Sequence, residues 1–247
     1  MSLISIFGNL RNAYRGIKIQ PDSSMCHINQ LMQERARDDR MCDQQIYAAD
    51  GLIFFLEGNT PKVAITREQT NPVLQNLEEA CQKLSSTGIY RLRPKEVTKS
   101  LRDHETVILE LSQLPICSIL ERYDTKDPLF GYVKVSTNDY HNYTNPELHK
   151  LLHRVQGQGR GRVRAMKKLS EAGIKETKIY LLKPEYVVEK AKNGPFAMIW
   201  WLNNFRFNSN IVIDNHPFDQ RHAYGIGKEE QVALKDTFRA TRPYLVK

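Results

Sequence analysis

Asn145–Val187, NPELHKLLHRVQGQGRGRVRAMKKLSEAGIKETKIYLLKPEYV, is the stretch on which the reading of this chain depends. Between Lys150 and Lys183 it holds ten Lys or Arg against two acids, Glu171 and Glu176, while the formal net charge of all 247 residues is +8. The positive charge is therefore concentrated beside a candidate helix, the electrostatic footprint of a phosphate backbone. The plain alternative is a solvated helix face.

Working outward, the composition bounds the answer. A length of 247 residues favours two domains of ordinary size. Hydrophobic content of 40% and aromatic content of 9% supply real cores and exclude a disordered chain. A mean hydropathy of -0.53 and a pI near 9.3 describe a polar, basic protein that favours anionic partners. The four cysteines (Cys26, Cys42, Cys81, Cys117) lie too far apart for a zinc knuckle or a dense disulfide framework. Reduced thiols in a cytoplasmic protein are the simplest account. Asn9, Arg11, Asn12 and Arg15 interrupt any signal-peptide core, and no apolar run is long enough to span a membrane.

In chain order, the spacing of Leu3, Ile6, Phe7, Leu10, Tyr14 and Ile17 predicts an amphipathic helix over 2–19, packed on its own domain or used in a dimer. Pro21–Ser24 breaks it and caps a second helix, roughly 25–48. Gly51–Glu68 reads as two strands around Gly58-Asn59-Thr60-Pro61, and a helix opened by Thr70-Asn71-Pro72 ends near Gly88. Val107–Leu120 has an ambiguous period, Leu129–Val135 looks like a strand, and the junction between domains falls before Pro128. FAMIWWLNNF (196–205) is a buried helix or strand, FRFNSNIVI (205–213) alternates like a strand, and a last helix is expected over 228–239.

Two stretches resemble each other. Thr70–Val97 and Thr144–Val187 both open on Thr-Asn-Pro, carry Lys-Leu-Ser near a helix end, then Gly-Ile, then Ile-Tyr-x-Leu-x-Pro-x-x-Val. A duplicated module follows from this, the second copy enlarged around Gly157–Arg164. A helix ending Ala-x-Lys-Lys-Leu-Ser-Glu-Ala-Gly-Ile, followed by a short hairpin running into Pro, resembles winged-helix domains, in particular those of plasmid and phage replication initiators. The resemblance implies an α+β chain of two tandem winged-helix-like domains, 1–125 and 126–247. It places Val163–Ala172 in the major groove and wing contacts near Lys175 and Lys178. The Gly157–Gly161 run departs from the expected helix–turn–helix.

The function so implied is sequence-specific recognition of double-stranded DNA by a replication initiator or transcription regulator, with no enzymatic activity or cofactor and with a homodimer as an option. The expected contacts are Lys150, Arg154, Arg160, Arg162, Arg164, Lys167, Lys168, Lys175 and Lys178. Arg162 and Arg164 are the candidates for bidentate contacts to guanine, and Lys167 and Lys168 for phosphate contacts with steep salt dependence. Two alternatives stay open: an RNA-binding protein using the Gly-Arg segment and exposed tyrosines, and a metal-dependent nuclease built on Asp214–His222. The latter stretch fits no ligand spacing, and a polar loop is its simpler reading. Tyr140-His141-Asn142-Tyr143 lacks the His-x-His a tyrosine nickase needs, and His149 with His153 lacks a third ligand.

Overall fold

The hairpin expected around Gly58 forms: strands Ile46–Glu57 and Thr60–Thr66 pair antiparallel, with Glu57 opposite Thr60. Gly58 sits at φ +61°, a conformation L side chains adopt at a cost. The computed structural model describes residues 3–38, 41, 44–120, 126–137, 144–157, 159–171, 173–203, 210–214 and 217–227, with the side chains of 119–120, 126–128, 159–162, 165 and 214 outside that description.

In chain order the elements are β1 (Ile4–Gly8), α1 (Leu10–Ile19), β2 (Ser23–Met25), α2 (Ile28–Arg35), β3 (Ile46–Glu57) and β4 (Thr60–Thr66). Next come α3 (Pro72–Gln75), α4 (Leu77–Thr87), β5 (Tyr90–Arg91), α5 (Pro94–Leu101), β6 (Val107–Glu110), β7 (Cys117–Leu120) and β8 (Lys126–Ser136). The last are α6 (Pro146–Gln156), α7 (Gly159–Glu171), β9 (Glu176–Leu182), α8 (Pro184–Ala191), β10 (Phe196–Leu202), β11 (Ile211–Asp214) and β12 (Arg221–Gly227). Among the described residues the strands form one 12-stranded mixed sheet in the order β1-β12-β3-β10-β11-β9-β8-β7, with β2 on β12, β4 and then β6 on β3, and β5 on β10.

Two tandem winged-helix domains are thus replaced by a single large sheet. Strands from both sides of the 125/126 boundary share it: β12 pairs with β1, β2 and β3, and β10 pairs with β3. The central strands β3 and β10 are buried on both faces, which is why IYAADGLIFF and FAMIWWL are almost continuously apolar. For FAMIWWL the strand wins over the helix because β3 and β11 flank it.

The expected helix over 2–19 divides. Ile4–Gly8 is a strand because its partner comes from Arg221–Gly227, far along the chain, and local periodicity cannot see it. Asn9 starts the helix by accepting the Asn12 backbone N–H at 2.9 Å. The expected helix over 25–48 shrinks to α2, and Val107–Leu120 becomes β6 and β7 separated by a 3₁₀ turn at Leu111–Gln113.

The two similar stretches adopt the same order of elements: α3–α4, β5, α5 in one and α6–α7, β9, α8 in the other. Asn71 and Asn145 each cap a helix whose first residue is Pro, accepting from Val73 N (3.0 Å) and Leu148 N (2.9 Å). They are parts of one architecture and form no winged helix. The expected strand over 205–213 keeps only Ile211–Asp214 among described residues, and 204–209 and the expected helix over 228–239 lie outside them.

Candidate functional site

The pairing register fixes which side chains share a face, because successive residues of a strand point to opposite sides. Ile6 lies opposite Ala223, Ala223 beside Tyr47, Tyr47 opposite Trp201, and Trp201 opposite Val212. The parallel match of Ile211 with Ile179 sets Val212 beside Tyr180. Tyr180 lies opposite Tyr132, and Tyr132 opposite Cys117. One row of eight residues therefore crosses the sheet from edge to edge on a single face.

Cover along this row falls off in one direction. Helix α1 lies over the Ile6–Ala223 end so closely that a Cβ on Gly225 would stand 2.9 Å from Ile17 Cγ2. Next, the Arg221 guanidinium stacks 3.9 Å above the Trp201 ring and 5.1 Å from the Tyr47 ring, and pairs with Asp219 at 2.8 Å. The Tyr47 hydroxyl donates to the Asp219 carbonyl at 2.8 Å, holding the Pro217–Asp219 turn down. Among the described residues the cover ends beyond Val212. Tyr180 and Tyr132 are half-buried and Cys117 is exposed.

The open end has a definite chemistry. Tyr132 and Tyr180 have ring centroids 5.9 Å apart at 44°, and Lys178 Nζ lies 5.0 Å over the Tyr132 ring. Lys134 and Lys178 are directly opposite in the β8–β9 register, and both reach Glu176, at 2.5 Å and 3.9 Å. The hydrogen bond that Lys134 donates to Glu176 raises the pKa of the lysine and keeps it charged. Burial, followed by the neighbouring Tyr132, raises that of Tyr180, so its hydroxyl remains a donor. The other face of the same strands is core: Val133, Val135, Thr177, Ile179 and Leu181 are buried. Tyr132-Val133-Lys134 and Lys178-Ile179-Tyr180 are mirror images in sequence, which sets Tyr against Tyr and Lys against Lys across an antiparallel pair. That mirror was the available signal.

Of the nine expected contacts, the seven whose side chains are described divide between the interior, surface ion pairs and open solvent. Arg154 is buried, 4% exposed, and pairs with Asp50 at 3.2 Å. Lys150 is held by Glu147 at 2.6 Å, and Lys167 lies 3.8 Å from Glu171. Lys178 belongs to the tyrosine face. Arg164, Lys168 and Lys175 are exposed, and Arg160 and Arg162 lie on α7 with their side chains outside the described set. The Gly-Arg segment is the junction of α6 and α7, and Tyr140 and Tyr143 lie outside the described residues. Of the candidate nuclease loop, His216 also lies outside; Asp219 is paired with Arg221, and the His222 ring lies tilted at 55° against Phe7, with centroids 5.0 Å apart. His149 and His153 have ring centroids 4.0 Å apart, and among the described residues no three His, Cys, Asp or Glu gather as metal ligands do.

A cleft of about 470 Å³ separates α1 from α4, lined by Tyr14, Arg15, Lys18 and Glu78. Its cations are already paired, Arg15 with Glu78 and Lys18 with Glu68 at 3.0 Å, so it is a seam that fixes α1. Among the described residues no helix is long and apolar enough to cross a membrane.

No family model and no curated protein matches this sequence. Among solved structures, the chain is similar to one described as "Accommodation of massive sequence variation in Nanoarchaeota by the C-type lectin fold", with a TM-score of 0.55 and 9% identity, covering 90% of this chain and 96% of that chain. At that identity the likeness concerns architecture. It overturns the winged-helix resemblance, and with it the replication or transcription role on double-stranded DNA. The chain has a C-type lectin fold, its first strand paired with its last described one.

Proposed function

We propose that this chain is a non-catalytic recognition module that presents the β7–β8–β9 face to a macromolecular ligand, protein or glycan. The observation that carries the reading is the Tyr132–Tyr180 pair, two half-buried rings on the end of a row that no described residue covers, its other end closed by α1 and Arg221. Tyrosine gives a large apolar area, a hydroxyl donor and little conformational entropy to lose, which is why it recurs where proteins recognise other molecules. The similar solved protein is described as accommodating massive sequence variation on this fold. Outward positions of a sheet whose opposite face is core can vary in that way without loss of stability.

The test is a screen of the full chain against a glycan array and a displayed peptide library. A selected ligand is expected to slow alkylation of exposed Cys117, the cross-strand neighbour of Tyr132. Tyr132→Ala with Tyr180→Ala is expected to weaken it by about tenfold or more. Ligands whose affinity and Cys117 footprint ignore both tyrosines would overturn the reading.

A further inference from the structure

Resting on that reading, we infer that the ligand of the tyrosine face is an acidic segment of a partner protein, whose carboxylates complete the Lys134–Lys178–Glu176 group. Two lysines directly opposite on neighbouring strands repel each other and weaken the pair they sit in. One carboxylate, Glu176, serves both ammonium groups, tightly at Lys134 and at only 3.9 Å from Lys178. Among the described residues a net positive charge is thus left beside the two rings. Lys134 is more than half exposed along its side chain, and Lys178 lies over the Tyr132 ring, so an incoming carboxylate meets a cation wherever it approaches the pair.

The shape of the face selects a protein over a small anion. Among the described residues it is an open surface of three adjacent strands, whereas small-molecule sites are concave. Its arrangement is that of a protein interface: aromatic residues at the centre, with Val212 and half-buried Phe130 beside them, and charge at the rim. Tyrosine rings bury against apolar groups of a partner chain, and rim lysines accelerate encounter with an acidic surface. A basic chain of formal charge +8 directs the same encounter from longer range.

The experiment measures binding of the full-length chain to three probes: a random Glu/Tyr copolymer, poly-L-glutamate, and dextran sulfate as a non-protein polyanion. The Glu/Tyr copolymer is expected to bind most tightly, and the affinity to fall as salt rises. Lys134→Gln with Lys178→Gln, and separately Tyr132→Ser with Tyr180→Ser, are each expected to weaken it about tenfold or more, while Tyr132→Phe with Tyr180→Phe retains most of it. Circular dichroism confirms that each variant is folded. Loss with the tyrosine variant but not the lysine variant would sink the acidic-partner inference and leave the face as a recognition surface. Copolymer binding that neither pair alters would remove both. Dextran sulfate bound as tightly as the copolymer, and untouched by the tyrosine change, would reduce the face to general polyanion adhesion and overturn the inference.

Discussion

Arg154 and Asp50 form an ion pair at 3.2 Å with almost no solvent exposure on either side chain. Arg154 comes from α6, inside the basic stretch, and Asp50 from the central strand β3. Asp50 also accepts the Ile28 backbone N–H at 2.6 Å and lies 3.4 Å from Arg67. Arg154 donates in turn to the Glu105 carbonyl at 3.2 Å. One buried carboxylate thus ties α2, β3 and α6 together, and a cation that composition assigns to a phosphate is used as an internal tether.

Removing one partner of such a pair leaves the other charged and buried. Arg154→Met is expected to destabilise the fold by about 3–5 kcal/mol, read from the shift of the urea midpoint. Arg154→Lys keeps the charge but loses the second arm of the guanidinium, and should recover part of that loss. An unchanged midpoint in Arg154→Met would show that the pair carries no net stability.

The same cluster sets a dependence on pH. Burial alone would raise the Asp50 pKa, but Arg154, then His27 and Arg67, outweigh it and hold the carboxyl well below the usual carboxylate range. A depressed folded pKa means stability that is present above the unfolded value, about 3.9, and is lost as pH falls below it. His27 acts in the same direction in a higher window. Burial lowers its pKa, opposed by Asp50 and aided by Arg67 and Arg154. The folded state therefore prefers neutral His27, and stability begins to fall as pH drops below about 6.5. Chemical denaturation from pH 7.5 to 3 should show both losses, with His27→Gln flattening the upper one. A His27→Gln chain with the wild-type slope between pH 7 and 5 would exclude the imidazole as the source.

Much of the local structure was legible in the sequence. Gly58-Asn59 closes β3 to β4, and Asn71-Pro72 and Asn145-Pro146 open helices because short-range capping chemistry decides them. What was illegible depends on partners distant in the chain. Ile4–Gly8 reads as the first turn of a helix until Arg221–Gly227 returns to pair with it. Arg154 reads as a surface cation until Asp50, about a hundred positions earlier, faces it. A count of positive charges carries no direction, so Arg154 and Lys168 look alike in sequence while one points inward and the other outward. The tyrosine face escaped for the same reason: Tyr132 and Tyr180 become one feature only once β8 and β9 are in register.

Gly157 separates α6 from α7 at φ +81°, and a Cβ there would stand 2.8 Å from Gln33 Nε2. Gln33 is buried on α2, so little room exists for it to retreat. At ψ -166° Gly157 holds a backbone conformation that only glycine readily adopts, so Gly157→Ala combines backbone strain with that contact and should cost about 1–3 kcal/mol. Gly173, also at positive φ (+86°), has no neighbour within 4 Å of its added Cβ, and Gly173→Ala should cost less. Equal losses in the two variants would show that backbone strain alone, and not the α2 contact, sets the penalty.

The cysteines report directly on which surfaces are open. Cys26 and Cys81 are buried, and Cys117 is exposed at the outer end of the aromatic row. Burial, reinforced by nearby Glu78 and opposed by Arg11, pushes the Cys81 thiol up to about 11, so almost no thiolate is present at neutral pH. Brief maleimide treatment at pH 7 followed by peptide mapping should therefore modify Cys117 and leave Cys26 and Cys81 intact until denaturant is added. Prompt modification of Cys81 would contradict the packing of α4 against α1. Protection of Cys117 in the free chain would mean that the β7 end of the row is covered, and the recognition face with it.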